Sequence, residues 1–366
     1  MQQRLSMYNN NKLKLGIFGA NCSSGRAVTT LSDRWMADWE SCLQMAIMAD
    51  EAGIDFMLPI GRWKGYGGDT DFQGTTFETV TWAAGLLGAT KRMTVFGTVH
   101  APLIHPIIAA KEFVTADTIG RGRFGLNVVV GWNEGEFEMF GVSKGDVATR
   151  YEYGQEWLNA VKQMWGPDDD YDIEGKFFSL KKVRAKPKPY GGTRPMIMSA
   201  GASETGRAFA LKNCDALFTA VPMSNLEKAA TEVADVKRLA QSDGRELGVF
   251  TVGEVVCRPT RKEAVDFQKY WTAEAADWKA VDYILQLRGE NREQDPEQYD
   301  KLRRALVYGM SGFPLIGSPD DVADGLEKIS QAGFDGIGFS FINYLSELPY
   351  FIDEVLPRLK RMGLRH

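Results

Sequence analysis

Histidine and cysteine are scarce in this chain. Its 366 residues hold three His and four Cys. Cys22, Cys42, Cys214 and Cys257 stand far apart with no C-x-x-C pair, and His100, His105 and His366 offer no matching spacing. That argues against a Cys/His zinc site, so no metal is expected, and the thiols read as reduced and mostly buried in a cytoplasmic protein. An excess of basic charge is missing as well. Lys+Arg number 43 against 48 Asp+Glu, a net charge of −5. Nucleic acid and anionic membrane are therefore poor partners, although a local basic pocket for a phosphate is still allowed. No run of about 18 apolar residues is present to span a membrane. The opening MQQRLSMYNNNK has no apolar stretch of the signal-peptide kind. The chain also lacks a G-x-S-x-G elbow, a Walker loop and a G-x-G-x-x-G after its first apolar run, so hydrolase, kinase and nicotinamide-binding readings gain no support.

What the chain does have is alternation. Short β-type runs at 12–18, 55–59, 93–100, 123–131, 196–201, 216–220, 247–257 and 336–341 are separated by amphipathic helical stretches. Helices are expected at 38–52, 76–90, up to about 119, 150–165, from 203, at 226–242, from 318 and at 350–362. Strict β/α alternation over this length implies a parallel sheet, and strands apolar on both faces, such as FGLNVVV and LGVFTVGEVV, imply that helices cover it. About eight units fit a closed (β/α)8 TIM barrel better than an open sheet. No linker divides the chain, so residues 1–366 read as one domain. Two excursions, about 166–194 (irregular) and 261–304 (charged and helical), are expected at the C-terminal face of the barrel. Their aromatics Phe177, Phe178, Trp271 and Trp278 face either substrate or core.

In such a barrel chemistry sits at the C-terminal strand ends. These ends are 22–26, 60–68, 98–105, 127–136, 199–203, 219–223 and 341–344. Asn127 is a polar residue inside an apolar strand, so its amide must find partners. It suits either the carbonyl and N–H edge of a heterocycle or its own backbone. Ser203 follows a run of small residues at the start of a helix, where it caps the helix, binds a phosphate, or does both. Arg150 and Tyr151 open a helix and suit a phosphate, or form a solvated pair. His100 is the histidine at a strand end, with a core role as the alternative. Glu136 lies nine residues beyond Asn127.

The run TADTIGRGRFGLNVVVGWNEGEFEMFGV, followed by RYEYGQEWLNAVKQMW, resembles the bacterial luciferase-like flavin-dependent monooxygenases. KGYGG, YDIEGKFFSLKK, AKPKP, IGSPDDVADGLEKISQAGFDGI and YLSELPYFIDEVLPRL are similar to the same family. The likeness runs over nearly the whole chain and is closest to the branch of pyrimidine oxygenase, dimethylsulfone monooxygenase and nitrilotriacetate monooxygenase. It implies a barrel that binds reduced FMN (FMNH2) supplied by a separate NAD(P)H:flavin reductase, with dioxygen as co-substrate. The substrate would be a small organosulfur or nitrogen-containing molecule, and the chain a homodimer or homotetramer. On this likeness Gly61 and Arg62 touch the flavin and Asn127 lies near its pyrimidine edge. Glu136 lies on the ribityl side, Arg150, Tyr151 and Ser203 at the phosphate, and Thr98 where dioxygen reacts. Catalytic roles then fall to Asn127, Thr98 and His100. The alternatives are a deazaflavin-dependent oxidoreductase of the same superfamily and a non-catalytic flavin-binding protein.

Overall fold

A computed structural model describes residues 6–166, 168–201, 203–220 and 225–366. The expected strand-end positions 202 and 221–223 lie outside the described residues. Among those described, the strands are β1 (Lys14–Phe18), β2 (Phe56–Leu58), β3 (Thr94–His100), β4 (Phe124–Val129), β5 (Tyr171–Glu174), β6 (Ser179–Val183), β7 (Met196–Ala200), β8 (Ala216–Phe218), β9 (Gly248–Cys257), β10 (Phe313–Gly317) and β11 (Gly336–Ser340). Eight of them form a parallel ring in the order β1-β2-β3-β4-β7-β8-β9-β11, with β11 pairing back onto β1. These are the eight strands expected from the alternation, and the ring is the (β/α)8 barrel. β10 was not expected. It lies against the outgoing half of β9, pairing with 253–257, while β8 pairs with 248–250.

Side chains alternate in and out of each strand, so the register fixes what fills the ring. The lower interior is packed by Phe56, Leu58, Phe96, Met196, Met198, Phe218, Phe250 and Val252. The Phe56 ring meets Phe96 edge-on at 6.1 Å and Phe250 at 5.7 Å. Glycines on neighbouring strands make room for these rings. A Cβ on Gly16 would sit 2.2 Å from the Phe56 ring, and one on Gly125 would sit 2.5 Å from Phe96. This large-against-small pairing gives a filled interior rather than a pore. A second apolar layer lies between the strands and the outer helices, with Leu15, Ile17, Val95, Leu126, Val128, Val249 and Ile337 on its strand side.

Local chemistry sets the helix starts. Asp38 caps Trp39–Glu51, Glu78 caps Thr79–Ala89, and Ser318 with Asp321 forms a capping box on Pro319–Gln331. Asp146 caps Val147–Met164. Arg150 is therefore the fourth residue of that helix and does not open it, because the side-chain acceptor that satisfies the free N–H groups lies one turn earlier.

The two excursions part company. Residues 261–304 are helical as expected, and their start and middle meet the loop after β1: Thr30 N donates to Ala275 O at 2.7 Å. That places them at the C-terminal face. The first excursion does not lie there. It leaves the far end of the Val147–Met164 helix, forms the antiparallel hairpin β5–β6, and packs along the barrel's flank. Glu156 accepts the backbone N–H of Phe177 and Phe178 at 2.9 and 2.7 Å, and Tyr190 N donates to Asp117 at 2.9 Å. The physical reason is topological: a helix-to-strand connection emerges at the N-terminal end of the barrel. Phe177 and Phe178 pack on Tyr153, and Trp271 is buried against Tyr308, so none of these three faces the mouth.

The interior packing makes a prediction. Gly16→Ala should lower unfolding free energy by about 2 kcal/mol through overpacking against Phe56. Phe56→Leu in the same chain should recover part of the loss, because the two sites touch. Urea unfolding of both single variants and the double variant checks this.

Candidate active site

Thr98 on β3 and Asn127 on β4 are register partners, both facing inward just above the apolar fill. They are 8% and 4% exposed. The Thr98 hydroxyl donates to Pro59 O at 2.6 Å, which leaves it to accept from Asn127 Nδ2 at 3.1 Å. That chain of bonds fixes the Asn127 amide: nitrogen toward Thr98, oxygen away. The oxygen Oδ1 is buried and has no partner. A buried acceptor without a donor is costly to keep, so its donor is expected to come from a bound molecule.

Beside this pair the chain turns at Gly61. A side chain here would reach within 3.0 Å of His100 Cε1 and 3.1 Å of Thr98 Cγ2, so only glycine lets the backbone pass over both. Glu136 holds the rest of that turn. Its Oε1 accepts from Arg62 Nη1 at 2.8 Å and from Trp63 N at 2.9 Å. The Arg62 guanidinium stacks 4.6 Å over the Tyr66 ring, with Trp132 at 6.0 Å on the same group. Glu136 thus ties the segment after β2 to the helix Glu134–Met139 after β4. Its other oxygen lies 3.9 Å from His100 Nε2. Burial lowers the His100 imidazole to about 4, with Glu136 opposing the shift and Arg62 adding to it. At neutral pH His100 is an uncharged ring held between Gly61 and Gly131.

The residues expected at a phosphate meet only in part. Ser203 Oγ accepts from Gly206 N at 3.1 Å, so it caps the helix Glu204–Asn213. A Cβ on Gly206 would sit 2.6 Å from the Tyr151 hydroxyl and 3.2 Å from Ser203 Oγ. Tyr151 and Ser203 therefore flank one helix N-terminus, across a glycine that leaves the backbone bare. Arg150 has turned away at its tip, donating through Nη1 to Gly145 O at 2.8 Å, while its Nε is buried without a partner.

Sequence reasoning passed over Glu254. It ends the inward face of β9 two residues beyond Val252, on the strand opposite β3 around the ring. It is completely buried. Ser340 Oγ donates to its Oε2, and Arg26 lies close enough for its charge to act on the carboxyl. Burial pushes that carboxyl up to about 7, against the pull of Ser340 and Arg26. The signal was the one used for Asn127, a polar residue inside an apolar strand. All four cysteines are unpaired and buried, and burial pushes their thiols up to about 12, so none is a ready nucleophile. Among the described residues no helix is long and apolar enough to cross a membrane, and no three His, Cys, Asp or Glu gather as metal ligands.

His100 sets a pH dependence. Its folded imidazole titrates below the ordinary 6.5, at about 4. Its contribution to stability is therefore complete above pH 6.5 and is lost as pH falls toward 4, by up to about 3 kcal/mol. His100→Gln should remove that part of the acid loss. Urea unfolding of both proteins between pH 7 and pH 4 measures the difference.

Residues 13–336 match the family model described as luciferase-like monooxygenase. Pyrimidine monooxygenase RutA of Acinetobacter baylyi is 27% identical over 352 residues, covering 94% of each chain. Among solved structures, DmoA from Hyphomicrobium sulfonivorans superposes with a TM-score of 0.86 at 18% identity, over 97% of this chain and 89% of that one. Riboflavin lyase RcaE, solved with modified FMN and riboflavin, gives 0.80 at 21% identity, over 97% and 92%. The barrel, the strand-end polar groups and the family match agree: the chain belongs to the luciferase-like monooxygenase family and is a flavin-dependent monooxygenase.

Proposed function

We propose that the chain is the oxygenating half of a two-component system. It takes reduced FMN from a separate NAD(P)H:flavin reductase and inserts one atom of dioxygen into a small organosulfur or nitrogen-containing compound. The observation that carries this reading is the unpartnered, buried Asn127 Oδ1 beside a fully bonded Thr98. An acceptor at that place suits the N–H edge of a flavin ring. The pyrimidine monooxygenase relatives support a nitrogen-containing substrate. The residues present fit the cofactor: Gly61 and Gly206 leave bare backbone where a ring and a phosphate need close approach, and Tyr151 and Ser203 offer hydroxyls at a helix N-terminus.

Bound reduced flavin supplies the two electrons that turn dioxygen into an oxygenated substrate and water. The chain's own part is placement. Asn127, its amide fixed by Thr98, orients the reacting edge through its free acceptor and so holds the ring in one pose. Arg62, locked by Glu136 and stacked on Tyr66, holds the turn that carries Gly61. Neutral His100 packs beneath that turn and offers a ring nitrogen without adding charge. Arg150, Tyr151 and Ser203 take the phosphate, Arg150 by swinging its guanidinium away from Gly145.

Two measurements test this. With reduced FMN bound anaerobically, mixing with dioxygen in a stopped flow should give oxidation that slows about 100-fold in Asn127→Ala, because the ring is no longer held in one pose. FMN affinity should fall less than about tenfold. Lost binding with an unchanged rate would make Asn127 only a clamp, and substrate turnover without oxygen uptake would favour a hydride-transferring enzyme instead. Separately, Arg150→Ala should weaken reduced FMN about tenfold to a hundredfold, because a charge-assisted bond to a phosphate is worth ~1.5–3 kcal/mol. Reduced riboflavin, which has no phosphate, should bind both proteins alike in parallel anaerobic titrations.

A further inference from the structure

A groove runs along the barrel's flank between the helix Pro106–Ile119 and the second strand of the hairpin, β6. It encloses about 470 Å³, far more than the ~30 Å³ share of one water molecule. Its floor is apolar, formed by Ala110, Val114, Met164, Trp165, Leu180 and Val183. Trp165 is 8% exposed, and its Nε1–H is buried without a partner. An indole N–H only donates, so the floor holds one unmet donor.

The hairpin side of the groove is a strand edge. Every residue from 179 to 187 lines it, whereas a sheet face would offer alternate residues. Lys182 sits in a bulge, with φ of 48° and its N–H donated to Asp172 at 2.8 Å. Past Val183 the chain has left β5, and the N–H groups of Arg184, Ala185 and Lys186 bond to no other described residue. Lys111 donates to Lys186 O and so ties the helix to this edge. The rim carries one sign of charge. Lys111, Lys181, Lys182, Arg184 and Lys186 line the groove and no carboxylate does, in a chain whose net charge is −5. Asp172 and Glu174 answer Lys181, and Asp170 answers Arg184 at 2.5 Å. Lys111, Lys182 and Lys186 form no ion pair among the described residues.

We propose that this groove takes an extended acidic segment of a partner protein, which adds as a strand along 183–186. Its carbonyls accept the open N–H groups, its apolar side chains lie on the Trp165 floor, and its alternate carboxylates meet Lys111, Lys182 and Lys186. Lysines on an edge turn most strands away, and here they select the partner. A basic strand meets three unanswered cations, and an acidic one answers them. The groove lies on the flank beside the hairpin and not at the mouth, so the inference is independent of the reaction proposed above.

The test uses the full chain at low salt and fluorescein-labelled peptides read by anisotropy. The probe is Glu-Val-Glu-Val-Glu-Val-Glu. One control has Pro for each Val, which keeps the charge but resists strand pairing. The other has Lys for each Glu. The probe should bind at least about tenfold more tightly than either control. Hydrogen–deuterium exchange should slow on binding at 183–186. Lys182→Glu combined with Lys186→Glu, two exposed positions, should weaken the probe at least about tenfold and leave the unfolding midpoint unchanged. No binding of the probe, equal binding of the proline control, tighter binding of a thymidine octanucleotide, protection only elsewhere on the chain, or undiminished binding by the double variant would each overturn the proposal. Protection of 183–186 in the chain alone that fades on dilution would also overturn it, because the occupant would then be a second copy. If the double variant does not fold, the peptide comparison and the exchange map on the unaltered chain decide alone.

Discussion

Closure of the ring between β11 and β1 is the constraint on which the site depends. Lys14 pairs with Gly336 and Ile17 with Phe339, and once that register is set every barrel strand has a fixed inward face. The lower part of that face is hydrocarbon and glycine. The upper part turns polar within two residues on four of the strands: Phe96 gives way to Thr98 and His100, Gly125 to Asn127, Val252 to Glu254, and Gly338 to Ser340. Polar groups are thus lifted onto a dry, rigid floor. In that setting their hydrogen bonds are strong and an unmet one is expensive.

The mouth is organised as two walls with different chemistry. On one, Glu136 spends an oxygen on Arg62 and a backbone N–H, fixing a turn whose glycine passes over His100. On the other, Arg26 and the buried Glu254 both lie against the turn 309–311, whose residues have positive φ. On the first wall a carboxylate offsets a guanidinium, Glu136 against Arg62. Burial also decides how these groups titrate. It holds His100 neutral at physiological pH and raises the Glu254 carboxyl to about 7. Both groups cost stability in one direction of pH, His100 as pH falls from 6.5 toward 4 and Glu254 as pH rises from 4.5 toward 7, as expected where buried groups ionise.

Helix N-termini and glycines supply the remaining geometry. Gly206, between Tyr151 and Ser203, leaves backbone open at the start of Glu204–Asn213. Had the position carried a side chain, the Tyr151 hydroxyl and the helix start could not share one space. The open space there depends on an absence of side-chain atoms beside the two hydroxyls.

The sequence by itself determined the eight barrel strands, because each carries an apolar run bounded by a helix signal, and that alternation has one compact solution. It also determined that Asn127 needs a partner, since a lone amide in an apolar strand announces an unmet bond. It did not reveal the β5–β6 hairpin, whose residues are mostly polar and exposed, nor the short strand β10. Its expected place for 166–194, at the C-terminal face, overlooked that a connection from the 150–165 helix to the 196–201 strand emerges at the opposite end of the barrel. Only the tertiary structure decided that Glu136 serves the turn after β2, that Arg150 lies inside its helix, and that Arg26, Gln73 and Glu254 meet at the turn 309–311. These residues are 47 to 228 positions apart, and no local pattern encodes a meeting that the barrel's curvature brings about.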